Sequence, residues 1–223
     1  GLLVFRRESP LVGAAKFAWT IPLGLCIAVQ NVSIQSAVAL MPVGVAILVF
    51  YTFPLFTGIA SAWLGEVKLG WRLGVTLTTA LLGLALVLGV GNEPVSALGV
   101  ALALVAAFMF TGTLLLTSRL GAGLSAPVRT FLTMIVAGVA IGALAVARGE
   151  LQWPDTPAAQ RGLAGLSVCY AIGISALFLV LPRLGAVQVA VVMNLEPVMV
   201  AFLAWFTLGE ALGESEGVTL LER

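Results

Sequence analysis

Twice in this chain a proline interrupts a long apolar run that ends in the same triplet: Pro54 precedes Leu64-Gly65-Glu66, and Pro197 precedes Leu208-Gly209-Glu210. The copies share a register, since Cys26, Ala28, Val49 and Pro54 recur 143 positions later as Cys169, Ala171, Val192 and Pro197. Only the last turn slips, by one residue. An interior proline removes a helical hydrogen bond and clashes with the preceding turn. Inside a bilayer such a break survives where other groups satisfy the freed backbone, and matched breaks in two halves of a chain mark the binding site of a secondary transporter.

The runs around the prolines are long enough to cross a membrane. A transmembrane helix needs about 20 mostly apolar residues, and seven stretches qualify: 16–37, 42–64, 71–91, 95–118, 126–147, 163–182 and 185–208. With 61% hydrophobic and 9% charged residues, the chain falls far from the roughly 25% charged residues of soluble domains. The expected fold is an all-α membrane protein, an inverted-repeat helical bundle with seven transmembrane helices present. The start at Gly1, running into Arg6-Arg7, and the polar end after Glu210 read as the edges of an internal piece of a longer protein.

Loop charges orient the spans, because cytoplasmic loops are enriched in Lys and Arg. If Arg6, Arg7 and Lys16 are inside, alternation puts Lys68, Arg72, Arg119, Arg129 and Arg183 inside as well. Arg148, Arg161 and Arg223 then lie outside, with Glu93, Glu150, Asp155, Glu214 and Glu216. The polar segment 148–161 is expected as an outer loop. Trp63, Trp71 and Trp153 fall at span ends, as interfacial anchors do. In this arrangement the span of Pro54 runs inward and that of Pro197 outward, so the repeats are inverted.

The absence of histidine excludes His-dependent triads and His zinc sites. Two cysteines, both mid-span and expected reduced, cannot build a Cys-type metal site. No cofactor and no metal are expected. Net charge is +1 without a long basic run, so nucleic acid is not an expected partner; lipid bilayer and a small-molecule substrate are. Gly121-Ala-Gly123-Leu-Ser-Ala126 fits a dinucleotide pattern formally, but that motif needs a strand before it. Gly138 with Gly142, and Gly58 with Ala62, are spaced as helix-packing pairs.

Glu196 is the one ionisable residue near the centre of a span. Its insertion costs about 3 kcal/mol, offset by about −5 kcal/mol from the Val, Leu and Phe residues of the same span. Intramembrane carboxylates face cavities or partners and serve ion or substrate pathways, which makes Glu196 the candidate for proton coupling. Pro54 and Pro197 sit about 18 Å along their spans, near the midplane, and each leaves the carbonyl one turn earlier, at Phe50 and Met193, to find another donor. Tyr51 and Thr52 precede the first proline as Asn194 and Glu196 precede the second. With Gln30, Asn31, Tyr170 and Gln188, also polar at membrane depth, they are expected to line one substrate cavity. Glu66 and Glu210 fall at span ends, where a carboxylate reaches water.

At these residues the chain resembles the drug/metabolite transporter superfamily, in particular its EamA-type ten-span members. The matching stretches run from Ala39 to Pro54 and on to Glu66, and from Gly185 to Pro197 and on to Glu210, where that family has its fourth and ninth spans. The resemblance implies that 1–92 is the C-terminal part of a first EamA repeat and 93–223 a second repeat lacking its last span. It further implies a multi-pass carrier of the cytoplasmic (inner) membrane, an exporter of amino acids, other metabolites or drugs by alternating access, and not an enzyme. The alternatives are a non-transporting membrane subunit, a degenerate fragment, and a membrane-embedded lipid enzyme, for which Glu196 lacks a nucleophile or metal partner.

Overall fold

The computed structural model describes residues 18–67, 70–71, 74–75, 78–79, 82, 95–120, 126–151, 153–197 and 199. Among these residues the regular elements are α-helices: α1 (Thr20–Val38), α2 (Val43–Phe50), α3 (Phe53–Trp63), α4 (Ala97–Leu120), α5 (Ala126–Arg148), α6 (Pro157–Leu184) and α7 (Ala186–Met193). Five described segments are long and apolar enough to cross a membrane: α1, α2 with α3, α4, α5 and α6. The chain is an all-α, multi-pass membrane protein. Most of the expected span 71–91, the end of span 185–208 with its Leu208-Gly209-Glu210 triplet, and the Gly121–Gly123 pattern lie outside the described residues. So do Arg6, Arg7, Lys16, Lys68, Arg72, Arg223, Glu93, Glu214 and Glu216.

Helix ends follow local chemistry. Thr156 is extended (φ −99°, ψ 144°), its hydroxyl accepts from the Ala159 N–H at 3.2 Å, and Pro157 opens α6. This N-cap with proline in the first turn starts the helix at 157, so residues 157–161 are helical where a loop was expected. At 28 residues, α6 is about 42 Å long and outreaches the hydrocarbon core of about 30 Å. α3 and α5 stop alike. Gly65 (φ +73°) and Gly149 (φ +68°) adopt the left-handed conformation; the Glu66 N–H reaches back to the Ser61 carbonyl and the Glu150 N–H to that of Ala145. Both are Schellman caps, so the Leu64-Gly65-Glu66 triplet is a helix stop.

The helices form two compact units, one from the described residues of Gly1–Val32 and Met109–Ala186, the other from those of Ser33–Phe108 and Val187–Arg223. In the first, Leu23, Ile27, Ala137 and Phe178 form the core, with Leu116, Met134, Ile174 and Leu177 packed on it, and α5 packs against α6. Lipid offers apolar groups no less than a protein interior does, so close packing rather than escape from water holds such helices together. Gly24 shows what that requires: a Cβ there would lie 2.6 Å from the Val136 Cβ and 2.9 Å from the Thr133 carbonyl. Gly138 and Gly142, expected to pack, meet nothing within 4 Å; the approach on α5 is made at Thr133 and Val136 instead.

In the second unit the core is Ala37, Met41, Val45, Ala46 and Ala103. A Cβ at Gly99 would come 3.1 Å from Met41, so this glycine seats α4 on the α1–α2 turn. Gly58 is buried in this unit. The buried set includes Thr57, Thr113, Thr117 and Thr133, while Leu25, Phe108, Ile135, Leu166 and Ile172 are exposed, a distribution that suits lipid rather than water outside. Trp63, Trp71 and Trp153 are strongly exposed. Cys26 and Cys169 are free thiols, as expected.

Candidate functional site

The first proline does not merely bend its span; it divides it. α2 closes at Phe50, Tyr51 and Thr52 form a turn, and α3 begins with Pro54 in its first turn. The Thr52 N–H bonds the Val49 carbonyl at 3.1 Å, and the Thr52 hydroxyl donates to that same carbonyl at 2.7 Å. Phe50, Tyr51 and Phe53 surround the turn with ring centroids 5.4–5.7 Å apart. Tyr51, Phe53 and Pro54 are buried.

The second proline repeats this bonding. α7 ends at Met193, the Leu195 N–H bonds the Val192 carbonyl at 3.0 Å, and the Met199 N–H bonds that of Leu195. Displaced by 143 positions, these are the Thr52–Val49 and Phe56–Thr52 bonds of the first copy. In this register Asn194 stands where the first copy has Tyr51, and Glu196 where it has Phe53. The two breaks meet within the second unit: the Tyr51 hydroxyl donates to the Glu196 carboxylate across 3.1 Å. Sequence reasoning found no cation for Glu196; its partner here is a buried hydroxyl. The Asn194 Nδ2 is buried and has no acceptor among the described residues.

The other expected cavity residues are placed unevenly. Thr52 and Pro197 are half-buried beside the Tyr51–Glu196 bond, while Gln188 is exposed on α7. Gln30, Asn31 and Tyr170 belong to the first unit. Gln30 is half-buried; the Asn31 amide donates to the Ile27 carbonyl at 2.8 Å, within its own helix. Tyr170 is exposed on α6.

One polar residue of the first unit runs against expectation. Arg129, counted among the inner-face loop cations, lies inside α5 and is only 2% exposed. Its Nη2 donates to the Phe178 carbonyl at 2.6 Å, and the guanidinium lies 5.7 Å from the Phe178 ring centre. The reason is a third proline. Pro182, inside α6, has no N–H to offer the carbonyl four residues back, and Arg129 supplies the missing donor. The Phe178-to-Pro182 spacing was the available signal.

Long apolar helices, one of them divided at a proline where buried Tyr51 bonds an exposed Glu196, define a multi-pass membrane protein. The EamA-like transporter family matches residues 97–221. That is more than half of the chain, and the chain belongs to this family, within the drug/metabolite transporter superfamily. No curated protein and no solved structure shows a significant match.

Proposed function

We propose that this chain is a secondary carrier of the cytoplasmic (inner) membrane that exports small metabolites, such as amino acids or drugs, by alternating access. The observation that carries the reading is the Tyr51–Glu196 hydrogen bond. It joins the two proline breaks, where helices are least able to satisfy their own backbone and an intramembrane carboxylate is costly to keep without a role. The 143-residue register supports two inverted repeats, 1–92 and 93–223, although neither boundary coincides with a unit boundary.

In the cycle, the Tyr51 hydroxyl satisfies the Glu196 carboxylate while no solute is bound. A proton or a cationic solute group competes with that hydroxyl for the same oxygen, and its binding on one side and release on the other couples solute to proton flow. Asn194, with an uncommitted amide beside the break, orients the solute. Thr52, Pro54, Gln188 and Pro197, of the same unit, line the path. The partners in this reading are lipid and the solute.

The test is transport by the purified chain in proteoliposomes, with a panel of labelled amino acids and cationic drugs and an imposed pH gradient. Gradient-dependent movement of at least one solute, lost in Glu196→Gln, is expected. A chain that inserts fully and moves no solute in either direction sinks the reading in favour of a non-transporting subunit.

A further inference from the structure

We propose that Arg129 and the Thr133 hydroxyl form, within the first unit, a binding site for an oxyanionic group, a carboxylate or a phosphate. The proposal goes beyond the carrier reading and stands apart from it. A guanidinium has five N–H donors and no acceptor. In Arg129 one of them meets the Phe178 carbonyl, and the guanidinium carbon lies over the Phe178 ring. Nε is buried with no partner, and among the described residues no carboxylate pairs with the charge.

The unmet donors continue along the helix. Thr133 follows Arg129 by four residues on α5, so the two side chains lie side by side on one face. The Thr133 hydroxyl is fully buried and likewise unpartnered. On α4 the buried Thr117 hydroxyl is in the same condition. Leu116, beside Thr117, and Met134, beside Thr133, both pack on the apolar cluster of this unit. Most buried polar atoms of native proteins have partners, so the unpartnered Arg129 Nε and Thr133 hydroxyl, one helical turn apart, call for an acceptor.

The chemistry of the set narrows the ligand. A buried charge with no counter-charge is strongly unfavourable, and neither a carbonyl nor an aromatic ring carries the full opposite charge. A water molecule would satisfy donors and leave the charge; a metal cation or an amine would be repelled. A planar carboxylate or a phosphate accepts from two guanidinium N–H groups at once, a geometry for which arginine is suited and lysine is not. The hydroxyl of Thr133 then supplies a further donor.

Thermal unfolding of the purified chain in detergent, titrated with pyruvate, inorganic phosphate or chloride at equal ionic strength, tests the site without requiring transport. Ligands that bind only the folded state raise the midpoint in a saturable way. Pyruvate or phosphate is expected to do so and chloride is not; the oxyanion that acts identifies the group. Thr133→Val, which keeps the side-chain shape, is expected to raise the half-saturating concentration about tenfold, as loss of a charge-assisted hydrogen bond implies. Arg129→Lys is expected to weaken it at least as much, and Arg129→Gln to abolish the shift. Should Arg129→Gln fail to fold, Thr133→Val carries the test. No shift beyond chloride with either oxyanion, or wild-type titrations in both Thr133→Val and Arg129→Lys, overturns the site. A chain that binds oxyanions yet transports nothing would remove the carrier reading and leave the site standing.

Discussion

The Tyr51 hydroxyl donates to the Glu196 carboxylate at 3.1 Å although 145 positions separate them. Each residue sits at a proline break, and Tyr51 is buried, so the bond links the two points where the helices are interrupted. If the link acts as a unit in transport, its removal from either side should have the same effect. A double-mutant cycle on transport rate with Tyr51→Phe and Glu196→Gln is expected to be non-additive, each single variant losing about tenfold and the double little more, in line with a coupling of about 1–2 kcal/mol for residues in direct contact. Additive losses would mean that the two side chains act separately.

Glu196→Gln keeps the size and hydrogen-bonding capacity of the side chain while removing its titratable site. Expression and membrane insertion should be unchanged, and dependence of transport on an imposed pH gradient should disappear. Glu66→Gln, at a water-exposed helix end, should retain a near-normal pH profile. Transport by Glu196→Gln at the wild-type rate with an unaltered profile would reduce Glu196 to an acceptor for Tyr51.

Gly65 ends α3 at φ +73° with nothing within 4 Å of the place a Cβ would occupy. The cost of a side chain there is therefore one of backbone conformation alone. Gly65→Ala should lower stability by about 1 kcal/mol, and Gly65→Asn by less, because asparagine tolerates the left-handed region. Thermal unfolding in detergent checks both, and equal midpoints for glycine and alanine would contradict the cap.

Gly24 poses the opposite case, since its backbone is helical and its surroundings are closed. A Cβ would fall 2.6 Å from that of Val136, so Gly24→Ala must push α1 away from α5 and is expected to cost about 1–3 kcal/mol. The paired variant Gly24→Ala with Val136→Ala should recover part of the loss. Unchanged stability in the single variant would show that these helices are not in register as described.

What could be read in the sequence was whatever the order of residues alone determines. The register of Pro54 with Pro197 located both breaks, because a proline acts on its own helix. The apolar runs gave the spans for the same reason. Contacts made across helices depend on how each helix is rotated, and there the reading failed. Gly138 and Gly142 have packing spacing but meet nothing, whereas Gly24, with no small partner in register, makes the close approach. Arg129 lies one turn inside its span, where counting loop charges cannot distinguish a solvated cation from one drawn inward by the Phe178 carbonyl. The Tyr51–Glu196 pairing likewise needed coordinates, although both residues stood among the expected cavity residues. Residues 157–161 looked like loop because Gln160 and Arg161 are polar, but Thr156-Pro157 is a helix start, and polar residues suit a helix emerging from the bilayer.

That start fixes where membrane orientation can be tested. The connection between α5 and α6 spans 149–156, and Asp155 within it is exposed. The excess of Lys and Arg elsewhere predicts that this loop faces outward. Thr156 is a poor probe, because its hydroxyl caps α6 and its loss would cost about 1 kcal/mol; Asp155→Cys leaves the cap in place. Cys26 and Cys169 are free, so both should first be replaced by alanine to leave one thiol. In intact cells that thiol should react with a membrane-impermeant maleimide added outside. Labelling only after the membrane is broken would reverse the orientation of every span, and with it the outward direction proposed for transport. The inversion of the repeats would survive, because it depends on the expected spans of Pro54 and Pro197 being five apart in chain order, an odd offset with four spans between them, and not on which side is called out.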